Sequence, residues 1–163
     1  MNPILNSSNS SIHLLAALIA MLTGSYILFT PKGTTTHRLV GWLYSVSMSI
    51  LLFTAFHIYS LLGHFGIVHW GAVGSVDALV VGLGSVGLRS VFRSWLRWHY
   101  LGMGASITGL YAAFVVESTY RFFSPVYFWW VTLGLATLVF GMGGFILYRY
   151  YPTWAETNAG RLI

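Results

Sequence analysis

Three histidines and one carboxylate set the chemical question: His13, His57, His69 and Glu117, in a chain that has six histidines, three acidic residues and no cysteine. Without thiolates there are no disulfides, iron–sulfur clusters or soft metal sites, so any ligand set must be built from imidazole and carboxylate. Imidazoles joined by one carboxylate suit a zinc-like or non-haem divalent ion, and a metal with an open position can activate water for hydrolysis. His13, His57, His69 and Glu117 are therefore the expected metal ligands. Asp77 is the expected outer partner or extra ligand, and either Asp77 or Glu117 would be the catalytic base if it does not bind the metal. A simpler reading competes, in which Glu117 pairs with Arg121 one helical turn on and the histidines are solvated. A third reading uses the two carboxylates, Asp77 and Glu117, to pass protons or a small solute across a membrane.

The solvent around these residues is fixed by composition. Hydrophobic residues make up 56% of the 163, charged residues 7%, and mean hydropathy is +0.74, against a charged fraction of about a quarter in soluble domains. The expected fold is all-α, a single polytopic membrane bundle over residues 1–163. Five apolar segments approach the ~20 residues that a bilayer core requires, at about 12–30, 39–62, 70–88, 99–118 and 127–148. No basic stretch or small-residue cleavage motif precedes the first, which reads as a retained helix. Seven of the eight basic residues fall on one side of this scheme: Lys32, Arg38, Arg89, Arg93, Arg97, Arg149 and Arg161. Only Arg121 falls on the other, which puts the N-terminus outside and the C-terminus in the cytoplasm. The net charge of +5 is then a matter of topology and not of nucleic-acid binding. The bilayer is the expected partner, with a homo-oligomer left open.

In that orientation His13, His57, His69 and Glu117 lie toward the outer ends of their helices, with His64 in the outer loop and Asp77 about two turns into helix 3. Helix phase asks whether they can meet. His99, Gly102, Ser106, Gly109, Ala113 and Glu117 recur at spacings of three and four, as do His13, Ala16, Ala17, Ala20 and Gly24. Small residues at that period let membrane helices approach closely, so both stripes are expected to face inward. Asp77 shares a face with Val81, Gly84 and Ser85, and His57 with Ile50, Phe53 and Thr54. The order of polar residue, helix, basic loop, histidine, helix and polar residue from His13 to His57 returns from Asp77 to Glu117. A two-plus-two repeat, with helix 5 added, would place these positions around a pseudo-two-fold axis.

Two histidines at the opposite level, His37 and His99, open helices 2 and 4. Paired imidazoles can ligate a b-type haem, with Arg38 and Arg97 beside them for the propionates, which makes electron transfer an alternative function. Gly82 to Gly87 reads GLGSVG, a dinucleotide-binding pattern, yet it lies within an apolar helix with no strand before it. Helix packing is the better use for those glycines. The run LRSVFRSWLRW spaces Arg89, Arg93 and Arg97 four apart, as a short interfacial helix on an anionic leaflet would.

PKGTTTHRLVGWLYSVSM, GHFGIVHW and WHYLGMGASITGLYAAFVVESTYR together resemble the bacterial membrane proteins grouped as domain-of-unknown-function 2306, over roughly residues 12–121. The shared features are Lys32, Gly33, Thr34, His37 and Arg38; His69 in a Gly-Phe-His outer loop that departs from the family spacing at Gly63, His64 and Phe65; His99; and Gly109, Leu110, Ala112, Ala113, Glu117 and Arg121. The resemblance implies a multi-pass protein of the bacterial inner membrane. It points to His69 and Glu117 ahead of His57 and Asp77, and it implies no activity.

Overall fold

The computed structural model describes residues 8–57 and 65–159. Among them there is no strand, and five helices follow in order: α1 Ser8–Phe29, α2 Thr35–Ala55, α3 Ile67–Gly87, α4 Trp95–Phe122 and α5 Pro125–Ala159. All five are long and apolar enough to cross a membrane, the architecture of a multi-pass membrane protein. His64 lies outside the described residues. Each helix starts before its expected apolar window, and α2 ends at Ala55, short of the expected 62. α4 begins four residues before His99, because the polar-aromatic run Trp95-Leu-Arg-Trp is helical although it is not apolar, and α5 continues past Tyr148 to Ala159. The chain divides into two compact units, residues 1–76 and 77–163, with the division inside α3.

In the first unit α1 packs along α2. The buried residues of α1 are Ala16, Ala20, Gly24 and Ile27, one stripe at spacings of four, four and three. Small side chains there let α2 come close, and α2 answers with Tyr44 and Met48, both essentially inaccessible, and with Leu51 and Leu52. The hydroxyl of Ser45 donates to Gly41 O (2.8 Å) and that of Thr54 to Ile50 O and Leu51 O (both 2.9 Å). Both hydroxyls thus spend their protons on carbonyls of their own helix. Leu22, Leu39 and Trp42 stay about 70% exposed, as lipid-facing side chains do.

The turn between these helices explains PKGTTTHR as structure. The Lys32 ammonium donates to the carbonyls of Ile27, Leu28 (3.0 Å) and Thr30 (3.1 Å), satisfying acceptors that the end of α1 leaves unpaired and placing a cation at the negative end of its dipole. Partial burial lowers the pKa of this ammonium from 10.5. Gly33 has φ +79°, the left-handed conformation that reverses the chain after a helix at little steric cost. Thr34 then caps α2: its hydroxyl donates to Pro31 O (3.0 Å) and accepts from the His37 N–H (3.1 Å). Three consecutive residues therefore end one helix, turn the chain and start the next.

In the second unit the C-terminal half of α3 crosses α4 at a point where the two backbones touch. A methyl group added at Gly102 would lie 2.7 Å from both Ala78 O and Gly82 Cα, and one at Gly82 would lie 2.9 Å from Met103 N. Of the three glycines in GLGSVG only Gly82 makes such an approach; Gly84 and Gly87 face open space. α5 folds back along α4. Near one end of that pair Thr119 and Thr132 share a buried hydroxyl–hydroxyl bond (3.0 Å), and near the other the Tyr100 hydroxyl donates to Leu147 O (3.1 Å). Between them Gly104 receives Leu147 and Gly143 receives Thr108.

Overpacking a filled contact costs about 1–3 kcal/mol, and a helix–helix backbone contact has no flexible side chain to yield. Gly102→Leu is expected to lower the thermal stability of the detergent-solubilised protein by at least that amount. Gly84→Ala, which fills open space within a helix, is expected to leave stability unchanged or raise it by up to about 1 kcal/mol. Melting curves of the two variants beside the wild type make the comparison.

Candidate functional site

His13 lies near the start of α1 and Thr54 near the end of α2, and antiparallel packing brings them together with His13 Nδ1 2.9 Å from Thr54 Oγ1. The direction of this bond follows from proton counting. Thr54 has one hydroxyl proton, held by the Ile50 and Leu51 carbonyls, so its oxygen accepts and His13 Nδ1–H donates. His13 is then the Nδ1–H tautomer, with its lone pair on Nε2.

His57 reaches the same state by a local route. Just past the end of α2, its Nδ1 sits 2.8 Å from Phe53 O. A carbonyl only accepts, so Nδ1 carries the proton and Nε2 the lone pair. The ring leans on Phe53, with centroids 4.8 Å apart, and the residue is exposed. Thr54 and His57 are three apart, so His57 stands beside the hydroxyl that holds His13. One end of the α1–α2 pair thus carries two imidazoles of the same tautomer.

His69 is different. It is buried at the start of α3, stacked on Phe65 at 4.8 Å, and its Nδ1 accepts from the Gly66 N–H (3.2 Å). In a neutral ring this leaves the proton on Nε2. Ligation through Nδ1 would displace the Gly66 N–H, and ligation through Nε2 would require Nδ1 to take up a proton where that N–H already points. The geometry gives His69 a structural use, closing the first turn of α3.

The remaining candidates are described within their own helices. Glu117 is half-buried on α4, and the side chain of its expected ion-pair partner, Arg121, lies outside the described residues. Asp77 is exposed, and of its predicted face-mates Val81 and Gly84 are exposed and only Ser85 is buried. The burial of Ala72, Ser75, Leu79 and Gly82 instead marks the opposite side of α3 as the packed one. On α4, Gly102 and Ser106 are buried as expected of the inward stripe but Ala113 is exposed, and the buried positions shift to Leu110, Ala112 and Thr119. His37 sits in the first turn of α2, half-buried. His99 donates from Nδ1 to Gly82 O (2.8 Å), next to the Gly82–Gly102 contact, where it ties α4 to a carbonyl of α3. Among the described residues, no group of three or more His, Asp or Glu side chains is placed to hold a metal ion together.

Sequence reasoning missed two partners that decide this chemistry, Thr54 for His13 and Gly82 O for His99. Thr54 was visible as a hydroxyl three residues before His57; a backbone carbonyl has no signature in sequence at all. No family model, curated protein or solved structure matches the chain.

The tautomer assignments are directly measurable. At neutral pH, ring nitrogen shifts of ¹⁵N-histidine-labelled protein should show His13, His57 and His99 protonated on Nδ1 and His69 on Nε2. In Thr54→Val the His13 resonances alone should move strongly. A His69 ring protonated on Nδ1 would contradict the Gly66 N–H bond to that nitrogen.

Proposed function

We propose that this multi-pass membrane protein binds a divalent transition metal of the zinc type at the end of the α1–α2 pair, through Nε2 of His13 and His57. One observation carries the reading. The His13 Nδ1–H is held by a hydroxyl from the facing helix, and the His57 Nδ1–H by a carbonyl at the adjacent position. Metal-binding imidazoles almost always donate their second nitrogen to a fixed acceptor, which sets the tautomer and raises the basicity of the ligating nitrogen. The absence of cysteine from the chain selects against ions that prefer thiolate.

Two protein ligands leave coordination positions for water and for an incoming group. That openness separates hydrolytic from purely structural zinc, and a bound zinc would supply a water of lowered pKa. A metal-dependent hydrolase working at the membrane surface is the activity consistent with such a centre. The resemblance to domain-of-unknown-function 2306 and a location in the bacterial inner membrane belong to the same proposal.

The test is metal content after purification in detergent and zinc loading. Wild type should retain stoichiometric zinc through desalting, His13→Ala and His57→Ala should lose it, and His69→Ala should retain it. Thr54→Val, which removes only the acceptor behind His13, should weaken zinc binding about 10–100-fold. A wild type that holds no zinc, or a His13→Ala/His57→Ala protein that holds as much as wild type, contradicts the proposal. A Soret band in the same sample would move attention to haem and to His99.

A further inference from the structure

Residues 88–94 join two helices that can each cross the bilayer. Fully extended, seven residues reach about 25 Å, and these are folded back by turns: Val91 N–H and Phe92 N–H donate to Leu88 O (3.0 and 2.9 Å), and Trp95 N–H donates to Phe92 O (3.1 Å). A segment so short, anchored at both ends to membrane spans, stays at headgroup depth. The four-residue spacing of its arginines suggests a single helical stripe, but the turns break that stripe. Arg97 belongs to α4 and faces the Tyr151 ring, with the guanidinium carbon 5.9 Å from the centroid.

Arg89 and Arg93 are left exposed on the turn, and between them Val91 is 85% and Phe92 40% exposed. No acidic residue occurs in the sequence between Asp77 and Glu117, so no neighbouring carboxylate along the chain offsets the two cations. Guanidinium forks match phosphate oxygens, and apolar side chains beside them match the glycerol and acyl boundary beneath a headgroup. A soluble anion would have no use for an exposed Val91 and Phe92. A lipid uses both.

We propose that the 88–94 turn, through Arg89 and Arg93 with Val91 and Phe92, is a binding surface for anionic phospholipid headgroups. This surface is independent of the imidazole site. Thermal unfolding of the purified protein in neutral detergent tests it, with phosphatidylglycerol, phosphatidylcholine or inorganic phosphate added in separate titrations. Phosphatidylglycerol should raise Tm saturably, and the rise should shrink at roughly 0.5 M salt, where screening is strong; the other two should not raise it. Each charge removed should weaken the apparent lipid affinity about fivefold, so Arg89→Gln/Arg93→Gln should shift the titration to much higher lipid, while Arg89→Lys/Arg93→Lys keeps most of the response. An equal rise with phosphatidylcholine, a rise with phosphate alone, or an unchanged response in the glutamine variant overturns the proposal.

Discussion

Hydrocarbon supplies no hydrogen-bond partner, so every polar group that these helices carry into it must be satisfied within the protein. Much of the structure follows from that constraint. Ser45, Thr54, Ser85, Thr108 and Thr119 return their hydroxyl protons to carbonyls of their own helices. Polar groups that reach across do so at joints: His13 to Thr54 between α1 and α2, His99 to Gly82 O between α3 and α4, Thr119 to Thr132 and Tyr100 to Leu147 O between α4 and α5. Where lipid is as apolar as the packed face, burial gives little net drive. Close backbone approach and interhelical hydrogen bonds then contribute most of what holds a pair together.

The same bonds decide what the imidazoles can do. A histidine whose Nδ1–H is fixed by an oxygen offers Nε2 as a base or ligand, and one whose Nδ1 accepts from a backbone amide does not. His13, His57 and His99 fall in the first class and His69 in the second, though all four looked alike as residue types. His99 is held at the tightest contact of its helix pair, while His57 is exposed at a helix end where solvent can exchange. Packing and chemistry therefore separate along the chain: the glycine-lined crossing uses its histidine as a rivet, and the α1–α2 end presents two.

Much of this was legible beforehand, for physical reasons that differ from element to element. The five spans were legible because length and apolarity are local properties. So was the small-residue stripe of α1, because Ala16, Ala20 and Gly24 recur at the helical period on a helix with one close partner in its unit. On α3 and α4 the same logic faltered. A period locates a face but not which residue of it is touched, so Gly82 and Gly84 looked equivalent and Asp77 was assigned to a face that is exposed. The arginine spacing suggested a helix because periodicity cannot see that Leu88 to Ser94 is bounded by two helix ends. The tautomers were beyond reach, since they depend on a hydroxyl 41 residues away or on backbone carbonyls.

The central claim is that the His13–Thr54 bond joins α1 to α2 and aims the imidazole. A double-mutant cycle with His13→Leu, Thr54→Val and the pair, read by reversible unfolding in bicelles, measures it most directly. The account predicts a favourable coupling of about 0.6 kcal/mol, the average found for interhelical hydrogen bonds in membranes, and at most about 1.7 kcal/mol. Strict additivity of the two single changes would contradict it, and with it the orientation of the imidazole on which the metal proposal rests.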